Sequence, residues 1–124
     1  MGCDLKSMFA LRNEFISEMR SVHPNSYPDL PLDLSRKDSQ QFCRDLALRG
    51  VEEMFEALQH LKNWKPHKLT EDKEFNKEDF LEEIVDAFNY FMALLIVVDV
   101  DEEKLFEAYL KKDRKIRKRL DEGY

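Results

Sequence analysis

Two short acidic motifs hold the residues of this chain whose types and spacing are best suited to chemistry. Glu53 and Glu56 are three residues apart, as are Glu83 and Asp86, and Asn89 comes three residues later. On a helix, residues i and i+3 lie on the same side. Two antiparallel helices can therefore present Glu53, Glu56, Glu83 and Asp86 to one space. Four carboxylates held that close repel one another and require counter-charge. Hard oxygen donors with no Cys or His among them favour magnesium, with manganese as a substitute, over zinc. Magnesium held by carboxylates keeps positions for water and phosphate oxygens, which points to phosphate chemistry.

A lone ExxE or ExxD pair on a surface helix is ordinarily solvation, and 26 acidic residues supply such pairs by chance. The Glu83 and Asp86 pair stands apart because its helix continues as apolar sequence. Residues 84–98 read IVDAFNYFMALLIVV, with Asp86 and Asn89 the strongly polar positions. A helix apolar all round is expected to be buried. An ionised carboxylate within it needs a proton, a cation or a metal.

The elements that must position these residues are read from periodicity. Leu5, Met8, Phe9, Phe15, Ile16 and Met19 mark a first amphipathic helix over about residues 4–20. Three of the four prolines fall in a connection over about residues 21–35. Ser35 with Asp38 resembles a capping box and opens a second helix, expected over about 36–63, which Pro66 ends. Residues 66–76 form a loop. Asn76 caps a third helix reaching about residue 98, and a fourth begins after the Asp99 to Asp101 interruption with acidic residues in its first turn. The expectation is a single all-α domain over 1–124, resembling a four-helix bundle.

Composition narrows the partners. The chain has 124 residues, enough for one core, and its formal charge of −6 argues against general attraction to nucleic acid or to an anionic membrane. The longest unbroken apolar run, residues 90–98, is far short of the roughly 20 residues a membrane span needs. Cys3 and Cys43 show neither metal-ligand spacing nor a disulfide framework, which fits free thiols and a cytoplasmic location. Charge is unevenly spread: seven Lys and Arg crowd residues 111–119, so an acidic centre is joined to a basic last helix. That helix can hold the outer phosphates of a substrate.

The pattern resembles the all-α nucleoside triphosphate pyrophosphatases, which include MazG-type enzymes, dCTP pyrophosphatases and the dimeric dUTPases. Their EExxE, spacer, ExxD motif matches Glu52-Glu53-Met54-Phe55-Glu56 and Glu82-Glu83-Ile84-Val85-Asp86, with 26 residues between Glu56 and Glu83. The dimeric dUTPase pattern KNxxNxxRQxxGY is similar to the C-terminal run from Lys112 through Arg119 to Gly123-Tyr124, and Trp64-Lys65 looks like that branch's Trp-Lys pair. The resemblance covers the chain from about Ser35 onward. It implies magnesium on Glu53, Glu56, Glu83 and Asp86, and hydrolysis between the α and β phosphates of a (deoxy)nucleoside triphosphate. Glu56 would orient or deprotonate the attacking water. Lys112 and Arg119 would neutralise the outer phosphates, with Lys62 and Lys65 in support. Asn89 would stand near the sugar, Trp64 and Tyr124 near the base, and the chain would form a homodimer or homotetramer.

The departures bear on the base. Asp113 and Ile116 replace the motif's two Asn, and Leu120 its Gln. Arg12 and Ile16 occupy first-helix positions where the dUTPase branch offers Gln and Asn to uracil, so dGTP or another dNTP is as admissible as dUTP. Two further readings stand beside the enzyme. One is a helical oligomeric module that binds nucleic acid or a protein through the basic last helix; the other is a purely structural oligomer built on the apolar third helix.

Overall fold

The computed structural model describes residues 2–68 and 74–123. Among them lie four α-helices and no strand: α1 (Leu5–Val22), α2 (Lys37–Leu58), α3 (Lys77–Val97) and α4 (Glu102–Asp121). The chain is all-α, as its composition and periodicity predict. No helix among the described residues is long and apolar enough to cross a membrane. The residues divide into two compact units, one formed by the chain up to Leu32 together with the chain from Leu95 onward, the other by Asp33–Leu94.

In the first unit, Asp4 caps α1 by accepting the Ser7 N–H at 2.8 Å. Helix α1 buries Phe9 and Ile16, two turns apart, and leaves Leu5, Met8 and Phe15 exposed, so its buried face is narrower than its apolar one. The proline-rich connection is anchored where the Leu32 N–H donates to the Val97 carbonyl at 2.8 Å. Helix α3 ends in a Schellman motif. Asp99 takes the left-handed conformation (φ 62°), its N–H donates to Ile96 O at 3.1 Å, and the Val100 N–H donates to Leu95 O at 2.9 Å. Asp101 then caps α4 through the Lys104 N–H at 2.9 Å. Glu102 and Glu103 in its first turn, and Lys118 and Arg119 in its last, complement the helix dipole. Helices α1 and α4 touch, yet no residue of α4 is buried.

In the second unit, α2 begins without the expected capping box. Ser35 turns back, its N–H and Oγ both donating to the Asp33 carboxylate, while Asp38 is taken by the Arg36 guanidinium at 3.1 Å and by the Ser39 N–H. Arg36 therefore stands at the N-cap with no side-chain cap hydrogen bond. The helix also ends earlier than expected, at Leu58. The N–H groups of His60 and Leu61 donate three residues back, to Ala57 and Leu58, so the chain tightens into turns well before Pro66. Asn76 does cap α3, accepting the Asp79 N–H at 3.1 Å and donating its amide to the Asp79 carboxylate at 3.0 Å.

Helices α2 and α3 run antiparallel. Gly50 faces Phe91 at one end, Glu56 meets Glu83 further along, and His60 lies edge-on to Phe80 at 6.4 Å. Numbers rise on α2 as they fall on α3. The burial expected for α3 is only half realised. Ala87, Met92, Ala93 and Val97 are buried, whereas Leu81, Val85 and Phe88 are about half exposed. An apolar helix is buried all round only where neighbours surround it, and among the described residues of Asp33–Leu94 none covers this flank of α3.

Candidate metal centre

The antiparallel register delivers three of the four expected carboxylates. Glu53 and Glu56 from α2 and Glu83 from α3 each offer an oxygen, and these oxygens lie within 4.8 Å of one another. Glu53 and Glu83 are half-buried and Glu56 is exposed. Around a six-coordinate magnesium ion neighbouring oxygens stand about 3 Å apart and opposite ones about 4.2 Å, so the trio must draw closer together to enclose one.

The trio's electrostatics ask for a cation. Partial burial holds the Glu53 carboxyl above the usual carboxylate range, reinforced by its hydrogen bond with Glu56 and by the charges of Glu56, Asp86 and Glu83. Glu83 is raised for similar reasons, burial first and then Glu56 and Asp86, with His60 partly opposing. Without a cation these groups hold protons more tightly; a divalent ion relieves the same repulsion. The donor set is all oxygen, which suits magnesium or manganese.

Asp86 is exposed and lies outside the three-oxygen group, which corrects the expectation that it is a buried carboxylate. It sits one turn beyond Glu83, near enough for its charge to act on both Glu53 and Glu83. Asn89, half-buried, comes one turn later. Arg49, one turn before Glu53, pairs with Asp45 at 3.0 Å.

Where α2 ends, a groove of about 740 Å³ opens, lined by Phe55, Leu58, Leu61 and Trp64 together with Gln59, Lys62 and Lys65. It gathers Trp64, Lys62 and Lys65, all singled out by sequence, and its volume suits a small organic ligand. Lys65 Nζ stands 5.6 Å from the centre of the Trp64 ring, which is 69% exposed. No carboxylate of the trio lines the groove, but Gln59 lies one helical turn past Glu56. Sequence reading did not pick out Gln59 and Phe55; their i, i+4 spacing beside Trp64 was the available signal.

The remaining candidates belong to the other unit. Lys112 and Arg119 are exposed on α4. Arg12 is half-buried on α1, its guanidinium 4.5 Å from the Phe15 ring centre and its Nε buried with no hydrogen-bond partner among the described residues. Tyr124 lies outside the described residues. Comparison with family models, curated proteins and solved structures finds no match to this chain.

Proposed function

We propose that the chain is a magnesium-dependent (deoxy)nucleoside triphosphate pyrophosphohydrolase of the all-α type, converting a dNTP and water to a dNMP and diphosphate. The observation that carries the reading is the convergence of Glu53, Glu56 and Glu83 from two antiparallel helices within 4.8 Å. Magnesium or manganese on this trio supplies Lewis-acid polarisation of the phosphates. Asp86 adds negative charge at the rim and completes the set when the cation draws it in. Glu56, the exposed member, accepts a proton from the water that attacks the α phosphorus, and diphosphate leaves.

The other roles rest on side-chain chemistry. Lys112 and Arg119 neutralise charge growing on the leaving diphosphate, helped by Lys62 and Lys65. Trp64 offers a stacking face to the base, with Arg12 and Tyr124 as further contacts, and Asn89 faces the sugar. Which base is preferred depends on that lining, and dGTP or another dNTP stands beside dUTP as the substrate. The helices pack as a bundle in a cytoplasmic homodimer or homotetramer. The apolar residues left exposed on α2 and α3, Leu48, Val51 and Phe55 with Leu81, Val85 and Phe88, support assembly.

The test is release of monophosphate and diphosphate from a panel of dNTPs and NTPs with and without magnesium. Magnesium-dependent monophosphate production supports the reaction class. No release from any triphosphate overturns it and favours a helical binding module that uses the exposed α4.

A further inference from the structure

Helix α1 carries a cation in the middle of its apolar surface. Arg12 lies three residues after Phe9 and four before Ile16, both of them buried, so it shares their side of the helix. On its other flank, at i−4 and i+3, stand Met8 and Phe15, which are 43 and 40% exposed. The guanidinium lies over the Phe15 ring, 4.5 Å from its centre. Its Nε is buried with no hydrogen-bond partner, and no carboxylate among the described residues forms an ion pair with Arg12. A buried donor left unpaired is costly, so this side chain asks for an acceptor that the described residues do not supply. All five residues belong to one compact unit.

We propose that Arg12 reads the edge of a nucleotide base, and that the base it selects is guanine. That this nucleotide is the substrate rests on the pyrophosphohydrolase reading; the selection of guanine does not. A guanidinium donates two parallel hydrogen bonds from one side of its plane, so its best partner carries two acceptors side by side. Guanine presents O6 and N7 in that arrangement. Adenine sets an amino donor beside N7, cytosine presents an amino donor, and uracil has O4 beside a carbon. A phosphate or carboxylate also accepts two hydrogen bonds, but has no flat apolar body. Met8 and Phe15 offer contact to such a body, which favours a base over a simple anion. The Phe15 ring also holds the guanidinium in place, which lowers the cost of ordering it around a ligand.

The experiment is equilibrium binding of the full chain, in EDTA, to dGMP, dAMP, dCMP, dUMP and 7-deaza-dGMP, which lacks the N7 acceptor. The wild type binds dGMP about tenfold or more tighter than each of the others. Arg12→Ala brings dGMP to the level of dAMP and leaves dAMP unchanged. Arg12→Lys does not restore the preference, because an ammonium is a point charge without a fork. The comparison of dGMP with 7-deaza-dGMP is made on the wild type, so it holds whether or not a variant folds. Equal affinity for those two overturns the proposal, as does a guanine preference that survives Arg12→Ala. An equal loss for every nucleotide in a variant of wild-type helicity places Arg12 on the phosphate and also overturns it. A wild type that binds dGMP in the expected pattern but hydrolyses no triphosphate overturns the pyrophosphohydrolase reading and leaves the guanine subsite standing. One that hydrolyses dNTPs but binds dGMP no better than dAMP overturns the subsite alone.

Discussion

Glu53 on α2 and Glu83 on α3 stand thirty residues apart in the sequence, yet place carboxylate oxygens within 4.8 Å of each other. Both are held above the ordinary glutamate value of 4.5, chiefly by partial burial and then by the neighbouring carboxylates. In the unfolded chain that environment is gone and both return to the ordinary value. The folded state then binds these protons more tightly than the unfolded state. Metal-free protein is therefore expected to gain stability as pH falls from neutrality through the raised values, and to lose it as pH rises through them. Thermal melts across that window check the sign. Glu53→Gln should flatten the dependence.

Magnesium should act on the same repulsion. A ligand that binds only the folded state at a concentration of 100 times its dissociation constant stabilises by about 2.7 kcal/mol. Melts at neutral pH with and without magnesium should separate accordingly, and the gap should close as the pH is lowered and protons compete for the oxygens. A melting temperature indifferent to magnesium and manganese at every pH would count against the centre.

Glu56→Gln keeps shape and removes a charge from an exposed position, so the fold should be retained and the metal-free protein should be slightly more stable. Turnover should fall by two orders of magnitude or more, the scale of a positioned general base. Asp86→Asn should act mainly on magnesium dependence, raising the concentration needed for half-maximal rate, since Asp86 reaches the trio through its charge. Steady-state rates over a magnesium series distinguish the two.

The helices were legible in the sequence because their signals are local: Asp101 and Asn76 sit at the caps where their side chains suggest, and the i, i+3 spacing of Glu53 with Glu56 is a property of one helix. Meeting across helices was legible only as a possibility. Its realisation depends on the register that sets Gly50 against Phe91 and His60 beside Phe80, which no local pattern encodes. The exposure of Asp86 was hidden for a related reason. The residues around it are apolar enough for burial, but burial depends on what neighbours exist, and a run such as IVDAFNYF cannot state how many helices will surround it. Ser35 misled because Asp33, two residues earlier, competes for the same donors at shorter range.

Trp64 is the chain's single tryptophan, so its emission reports the groove at the end of α2 directly. Stacking of a nucleotide base on the exposed ring should quench that emission in EDTA, where no hydrolysis occurs. Lys62→Ala and Lys65→Ala should each weaken the effect several-fold by removing a phosphate partner. Trp64→Phe should raise KM more than it lowers kcat. Emission unchanged by any nucleotide would remove the groove from the substrate path.

Gly50 fixes how closely α2 approaches α3. A Cβ on it would lie 2.5 Å from Cε1 of Phe91, an approach that cannot stand without movement of the ring. Phe91 is 36% exposed, so its ring can swing toward solvent for a single methyl group. Alanine also gains about 1 kcal/mol over glycine in a helix, and Gly50→Ala should therefore change stability by less than about 1 kcal/mol. Leucine cannot be accommodated by ring rotation alone. Gly50→Leu is expected to cost about 1–3 kcal/mol through overpacking and to push the helices apart one turn from Glu53. Magnesium affinity should then fall in Gly50→Leu and persist in Gly50→Ala, a difference that melts with and without the metal can resolve. Equal magnesium stabilisation in both variants would show that the trio does not depend on this spacing.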